Sequence, residues 1–147
     1  MELFSLKNIT ANVTGALGLI GKEHCKALSE AGANVVVADI DETKCGDFAK
    51  ELQTNSLGAS LDVTNPDSIK SLRDKVLDKF GHIDVLVNNA AINDMFENPK
   101  AATEQSKFEN YPLELWQKSI DVNLTGVFLC SQILGVEMAK QKSGSII

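Results

Sequence analysis

Three glycines, Gly15, Gly18 and Gly21, fall at three-residue intervals in VTGALGLIGKEH, between an apolar run and the start of a helical pattern. A strand-to-helix turn without side chains lets a pyrophosphate reach the backbone N–H groups and the positive end of the helix. The spacing is G-x-x-G-x-x-G rather than the usual G-x-G-x-x-G, and alone it describes a tight turn equally well. Asp39 shifts the balance. It lies 24 residues beyond Gly15, close to the ~20 at which an acid is expected to bind the adenosine ribose. A carboxylate there accepts hydrogen bonds from both ribose hydroxyls and repels a 2′-phosphate. Asp41 and Glu42 deepen the negative field, and no basic residue occurs in the turn before Lys22. NAD is therefore expected rather than NADP, with a helix-capping role as the plain alternative for Asp39.

The elements that must hold these residues alternate along the chain. NITANVT (8–14) reads as a strand, with Asn12 an oddly polar choice for a buried one. A helix is predicted from about Leu19 to Ala31, with Ile20, Ala27, Leu28 and Ala31 facing the core and Gly32 as its stop. NVVVAD (34–39) is apolar throughout, as a strand buried on both faces should be. DETKCGDFAKELQ follows as a helix with Cys45, Phe48, Ala49 and Leu52 in phase. SLGASLDV carries a third strand ending near Asp62. Asn65-Pro66 reads as N-cap and first helical residue, Ile69, Leu72, Val76 and Phe80 give that helix its core face, and Gly81 ends it. HIDVLVNNA is a fourth strand. Residues 93–112 are polar and irregular. A long helix is predicted from about Leu113 to Gln141, with Trp116, Ile120, Leu124, Val127, Phe128, Leu134 and Met138 broadly in phase, and SII after Gly144 begins a fifth strand.

Strand–helix–strand repetition implies parallel strands joined by right-handed crossovers, hence an α/β, Rossmann-type doubly wound sheet. In such sheets ligands sit beyond the carboxyl ends of the strands, at the point where strand order reverses. The loops there carry the glycine turn, Asp39, Asp62 and Asn88-Asn89, so the distinctive residues share one edge.

The 147 residues are read as one domain, 44% hydrophobic and 23% charged, with a net charge of −6. That acidity argues against nucleic-acid and membrane-surface roles, which want a basic face. No apolar run approaches the ~20 residues of a membrane span, and MELFSLKN lacks the features of a signal peptide. Cys25, Cys45 and Cys130, at spacings of 20 and 85, fit neither a disulfide framework nor a zinc site. Reduced core thiols in a cytoplasmic protein are expected. His24 and His82 stand alone, and no metal is expected.

The sequence resembles the short-chain dehydrogenases/reductases from about Leu6 to Ile147. VTGALGLIG looks like the family's Thr-Gly cofactor turn, LDVTN like its third-strand segment, NNAA (88–91) like its Asn-Asn-Ala-Gly, and IDVNLTGVFLCSQ like its long interface helix. The resemblance implies a nicotinamide dinucleotide against Gly15, Ala16, Leu17, Gly18, Leu19 and Ile20 of the turn. It adds Asp39 and Ile40 after the second strand, Asp62 at the adenine amino group with Val63 on the ring, and Asn89, Ala90 and Ala91 after the fourth. It also implies that Asn123 supports a proton relay, as the one catalytic-set residue here, and that the full-length enzyme is a homodimer or homotetramer. Two features depart from the compact branch of the family: the glycine spacing is that of the extended branch, and Ala91 replaces a glycine. An insertion is expected around Asp94–Asn110, on the substrate side. FENYPLELWQKSIDVNLTGVFLCSQ faintly resembles members of flagellin-modification and surface-sugar pathways, and 3-oxoacyl reductases are as similar, so the substrate stays open.

The family's chemistry uses a Ser, a Tyr and a Lys four residues after the Tyr, the lysine lowering the tyrosine pKa so that it can move a proton. Tyr111 is the single tyrosine and is followed four residues on by Leu115. The chain is therefore expected to be the N-terminal, cofactor-binding part of a longer enzyme, cut within its fifth strand and inactive alone. The full-length enzyme would transfer hydride between the nicotinamide and a secondary alcohol or ketone, a small-molecule substrate. A non-catalytic NAD-binding module and an extended-branch nucleotide-sugar epimerase or dehydratase are the alternatives.

Overall fold

The computed structural model describes residues 4–93 and 107–147. Most of the expected insertion at Asp94–Asn110 therefore lies outside the described residues. Strands β1 (Thr10–Thr14), β2 (Asn34–Asp39), β3 (Leu57–Ser60), β4 (Val85–Val87) and β5 (Ser145–Ile146) form one sheet in the order β3-β2-β1-β4-β5. Every pairing is parallel. Helices α1 (Leu19–Glu30), α2 (Glu42–Glu51) and α3 (Pro66–Phe80) make the successive crossovers. The last crossover is a long helix, α4 (Leu113–Gln141). It is α-helical over Leu113–Ile120 and Gly126–Gln141, with a π-helical turn at Asp121–Thr125 between them. Strand order reverses between β1 and β4, so the α/β doubly wound reading holds, and the switch point lies beside the glycine turn.

The alternation of side chains along β2 explains its unbroken apolar run. Val35 and Val37 pack with Val13, Cys25 and Phe48 on the α1–α2 face. Val36 and Ala38 pack with Ile69, Leu72, Leu86 and Leu134 on the α3–α4 face. Neither face of this strand meets water.

Local signals set the ends of the elements. The Asn65 side-chain oxygen accepts from the N–H groups of Asp67 and Ser68, at 2.9 and 3.4 Å, with Pro66 at the first helical position. Gly81 closes α3 in the left-handed region at φ 80°. Asn8 takes φ 66°, so β1 starts at Thr10 rather than at residue 8. The third and fourth strands are also shorter than expected, because their carboxyl ends peel into the loops that build the site.

Two helices face the core differently from expectation. In α1 the buried residues are Gly21, Cys25 and Ser29, while Ile20 is 66% exposed and Ala27 is also exposed. Small residues at the contact let α1 approach the sheet closely, which leaves Leu19 and Ile20 over the loop edge. In α4 the core face is Gly126, Cys130, Leu134 and Met138. Trp116, Leu124 and Phe128 are exposed, at 56%, 64% and 59%. Their apolar character also makes α4, by length and composition, long and apolar enough to cross a membrane, which a search for an uninterrupted apolar run does not mark. One side of α4 packs on the sheet through Cys130, Leu134 and Met138, while most of the apolar stretch is not buried.

All three cysteines are free and buried. Burial pushes the thiols of Cys25 and Cys130 up to about 12, and that of Cys45 up to about 11. They behave as small core hydrophobes.

Candidate functional site

The glycine turn is built by exclusion of side chains. Gly15 sits at φ 61°, and a Cβ there would lie 2.7 Å from the Ala90 Cα. A Cβ on Gly21 would run into the Gly15 carbonyl oxygen. The chain thus folds tightly enough for α1 to begin at Leu19 directly over the turn. No side chain caps that helix and no acid stands in its first turn. Its N-terminal N–H groups, left without intrahelical partners, form an anion-binding end.

Thr14 joins this turn to β4. Its hydroxyl donates to the Val87 carbonyl (3.3 Å) and accepts from the N–H groups of Asn89 (3.1 Å) and Ala90 (3.0 Å). The Asn89 carboxamide donates to the carbonyls of Thr14 and Gly15, each at 3.0 Å. Asn88 instead reaches back to α4, donating to the Ser131 hydroxyl at 3.3 Å. The NNAA segment is thereby tied to the glycine turn across the switch point.

Asp39 is fixed from two sides. One carboxylate oxygen accepts from the Leu17 N–H at 2.9 Å and the other from the Ile40 N–H at 2.8 Å. Each oxygen keeps acceptor capacity for a ligand hydroxyl. The capping acid of α2 is Asp41, which accepts from the Lys44 N–H at 3.0 Å. That N–H and the Lys44 ammonium hold the Asp41 carboxyl below the usual carboxylate range. Beyond β3, one oxygen of Asp62 accepts from both the N–H and the hydroxyl of Thr64, while the Asp62 N–H donates to Ser68 Oγ.

These loops open onto a cleft of about 1320 Å³. Gly15, Gly18, Leu19 and Ile20 line it from the turn; Asp39, Ile40, Asp62 and Val63 from the β2 and β3 loops; and Asn89, Ala90 and Ala91 from the β4 loop. Three sequence-predicted residues do not line it. Ala16 is buried beneath the turn, its N–H donating to the Ala38 carbonyl at 3.1 Å. Leu17 packs against the α1–α2 core and contributes the N–H that holds Asp39. Asn123 lies on the π-helical turn, its carboxamide bonded to both backbone groups of Ile92.

Sequence reasoning missed one wall. Glu114, Gln117, Lys118 and Asp121, in the first turns of α4, also line the cleft. Their i, i+3, i+4 and i+7 spacing was the available signal, but it marks any helix face and carries no chemical motif. With Asp39 and Asp62 they make an acidic surround in which Lys118 is the sole lining cation among the described residues.

The family description "short chain dehydrogenase" matches residues 9–147. The chain belongs to the short-chain dehydrogenase/reductase family. Among relatives, it is 40% identical over 141 residues to a 3-oxoacyl-[acyl-carrier-protein] reductase from Synechocystis sp., covering 93% of this chain and 53% of that protein. An uncharacterized oxidoreductase from Thermotoga maritima is 36% identical over 145 residues, covering 97% of this chain and 53% of that protein. The crystal structure of a short-chain type dehydrogenase/reductase from Mycobacterium marinum superposes with a TM-score of 0.86 at 34% identity, covering 99% of this chain and 55% of that one. This short-chain dehydrogenase/reductase chain thus spans about half the length of these relatives.

Proposed function

We propose that this chain is the NAD-binding part of an oxidoreductase that transfers hydride between the nicotinamide and a secondary alcohol or ketone. The observation that carries the reading is Asp39, a carboxylate held by the N–H groups of Leu17 and Ile40 at the rim of a cleft that begins in the glycine turn. The residues present fit a dinucleotide: Gly15 and Gly21 let the turn close against Ala90 and beneath α1 with no side chain in the way, and the end of α1, without a side-chain cap, offers N–H groups to a pyrophosphate. Asp39 would accept from the ribose hydroxyls and repel a 2′-phosphate, Asp62 would meet the adenine amino group, and Val63 and Ala90 would wall the ring. Bound there, the nicotinamide supplies or accepts the hydride.

Tyr111 is followed four residues on by Leu115, so no residue pair here supplies the family's proton-moving Tyr and Lys. The chain alone is proposed to bind NAD without turning substrate over. Asn123 is proposed to support the proton relay of the whole protein by fixing the Ile92 backbone. A cytoplasmic location fits the three free thiols. The whole protein is proposed to be a homodimer or homotetramer that engages neither nucleic acid nor membrane; the net charge of −6 on the 147 residues here fits the latter.

Titration with NAD and with NADP, followed by calorimetry, tests the reading. NAD should bind at least about tenfold more tightly, since an uncompensated carboxylate–phosphate contact costs more than ~1.4 kcal/mol, and Asp39→Ala should erase most of that preference. Equal affinities, or tighter NADP binding, would refute the assignment of Asp39.

A further inference from the structure

Helix α4 is fastened to β4 at two points by the same device. Near the cleft, Asn123 donates to the Ile92 carbonyl at 3.1 Å and accepts from the Ile92 N–H at 2.9 Å. At the far end, Gln141 donates to the Ile83 carbonyl at 2.9 Å and accepts from the Ile83 N–H at 3.1 Å. Each carboxamide satisfies both backbone groups of one residue, and the two residues bracket β4.

Residues 123 and 141 are separated by about 27 Å of helix, and the segment from Ile83 to Ile92 runs back along it as β4 and its flanking loops. The helix runs antiparallel to the strand, so each clamp can close only when helix and strand are in one axial register. A slide of one residue, about 1.5 Å, would break both fork-like contacts. Between the clamps α4 is held by the apolar contacts of Cys130, Leu134 and Met138, by the close seat of Gly126 on Val63 and by one side-chain bond from Asn88 to Ser131, none of which engages the backbone of β4 on both its donor and its acceptor. The π-helical turn at Asp121–Thr125 shifts the rotation of the cleft-side turns relative to the rest of the helix. The phase of Glu114, Gln117 and Asp121 along the cleft therefore follows from where the downstream helix is anchored.

We propose that Gln141 is a positioning residue for the cofactor cleft: its clamp on Ile83 sets the axial register of α4 and thereby places Asn123 on Ile92 and the first turns of α4 along the cleft wall. The backbone pairing of the Gln141 end is structural, but its consequence is read at the other end of the helix. The statement about the cleft rests on the NAD-binding reading; the statement about register does not.

Amide hydrogen exchange on the protein carrying Gln141→Ala, read by NMR at Ile83, Ile92 and Val37, tests it, together with NAD affinity by calorimetry. Loss of the clamp should speed exchange at Ile83 and also at Ile92 by about fivefold or more, the protection of one neutral hydrogen bond, with Val37 in β2 unchanged. NAD affinity should fall severalfold. Gln141→Glu, which keeps an acceptor for the Ile83 N–H and stays close in shape, should give an intermediate effect and serves if the alanine variant fails to fold. Faster exchange confined to Ile83 would overturn the proposal, as would equal acceleration at Val37. If the unsubstituted protein binds no NAD, the NAD-binding reading fails while the exchange at Ile92 still decides the register.

Discussion

Asn12 is fully buried in the central strand, with its Nδ2 donating to the Val85 carbonyl at 3.4 Å. Its Oδ1 has no hydrogen-bond partner among the described residues. Its neighbours in register are Val36 and Leu86. An orphaned buried acceptor costs about 1–3 kcal/mol, and a β-branched apolar side chain suits the site. Asn12→Val is expected to raise the free energy of unfolding by about 1–2 kcal/mol in urea titrations, without changing NAD affinity; a destabilised variant would show that Asn12 has a partner the structure does not display. The glycines and Asp39 were singled out by kind and spacing, and Asp62 and Asn89 by their place on the loop edge and by the family resemblance; the structure sets them along one cleft. The division of labour between Asp39 and Asp41 was not legible, because two acids two residues apart look alike until the N–H groups of Leu17 and Lys44 choose between them.

Helix ends were legible because capping is local. Asn65 and Gly81 act on groups within four residues of themselves. Asn65→Ala should cost about 1 kcal/mol of stability, seen as a lower urea midpoint with an unchanged slope, whereas Asn65→Asp should keep most of it. No loss on Asn65→Ala would mean that Pro66 and packing alone hold the start of α3. Helix faces were less legible. Periodicity grouped Trp116, Leu124 and Phe128 with Leu134 and Met138, and it put Ile20 and Ala27 in the core of α1. A periodic pattern reports which residues share a face, but not how close the helix lies to the sheet or whether a second apolar face is covered. In α1 the close approach permitted by Gly21, Cys25 and Ser29 rotated Ile20 out to the cleft.

At the scale of the molecule, α4 has two apolar sides. Cys130, Leu134 and Met138 lie on the sheet and Gly126 against Val63, while Leu124, Val127 and Phe128 form an exposed patch at i, i+3 and i+4. Contiguous exposed apolar surface marks association. Sedimentation of the whole protein is expected to show a dimer or tetramer, and Phe128→Asp should shift it toward monomer without lowering its thermal stability as a folded unit. A monomer at every concentration before substitution would refute the assembly.

The sequence by itself determined the alternation of strands and helices, the doubly wound class and the edge on which the cleft-lining residues gather, because period, caps and glycine turns act over a few neighbouring residues. It also fixed the negative charge that Asp39 brings to the rim of the cleft. Only the tertiary structure decided that β1 and β4 are neighbours, that Thr14 and Asn89 lace the glycine turn to the β4 loop, and that α4 supplies a wall of the cleft. Those contacts join residues some 75 positions apart in the chain, and their geometry is set by how closely the helices settle on the sheet, which depends on every side chain between them.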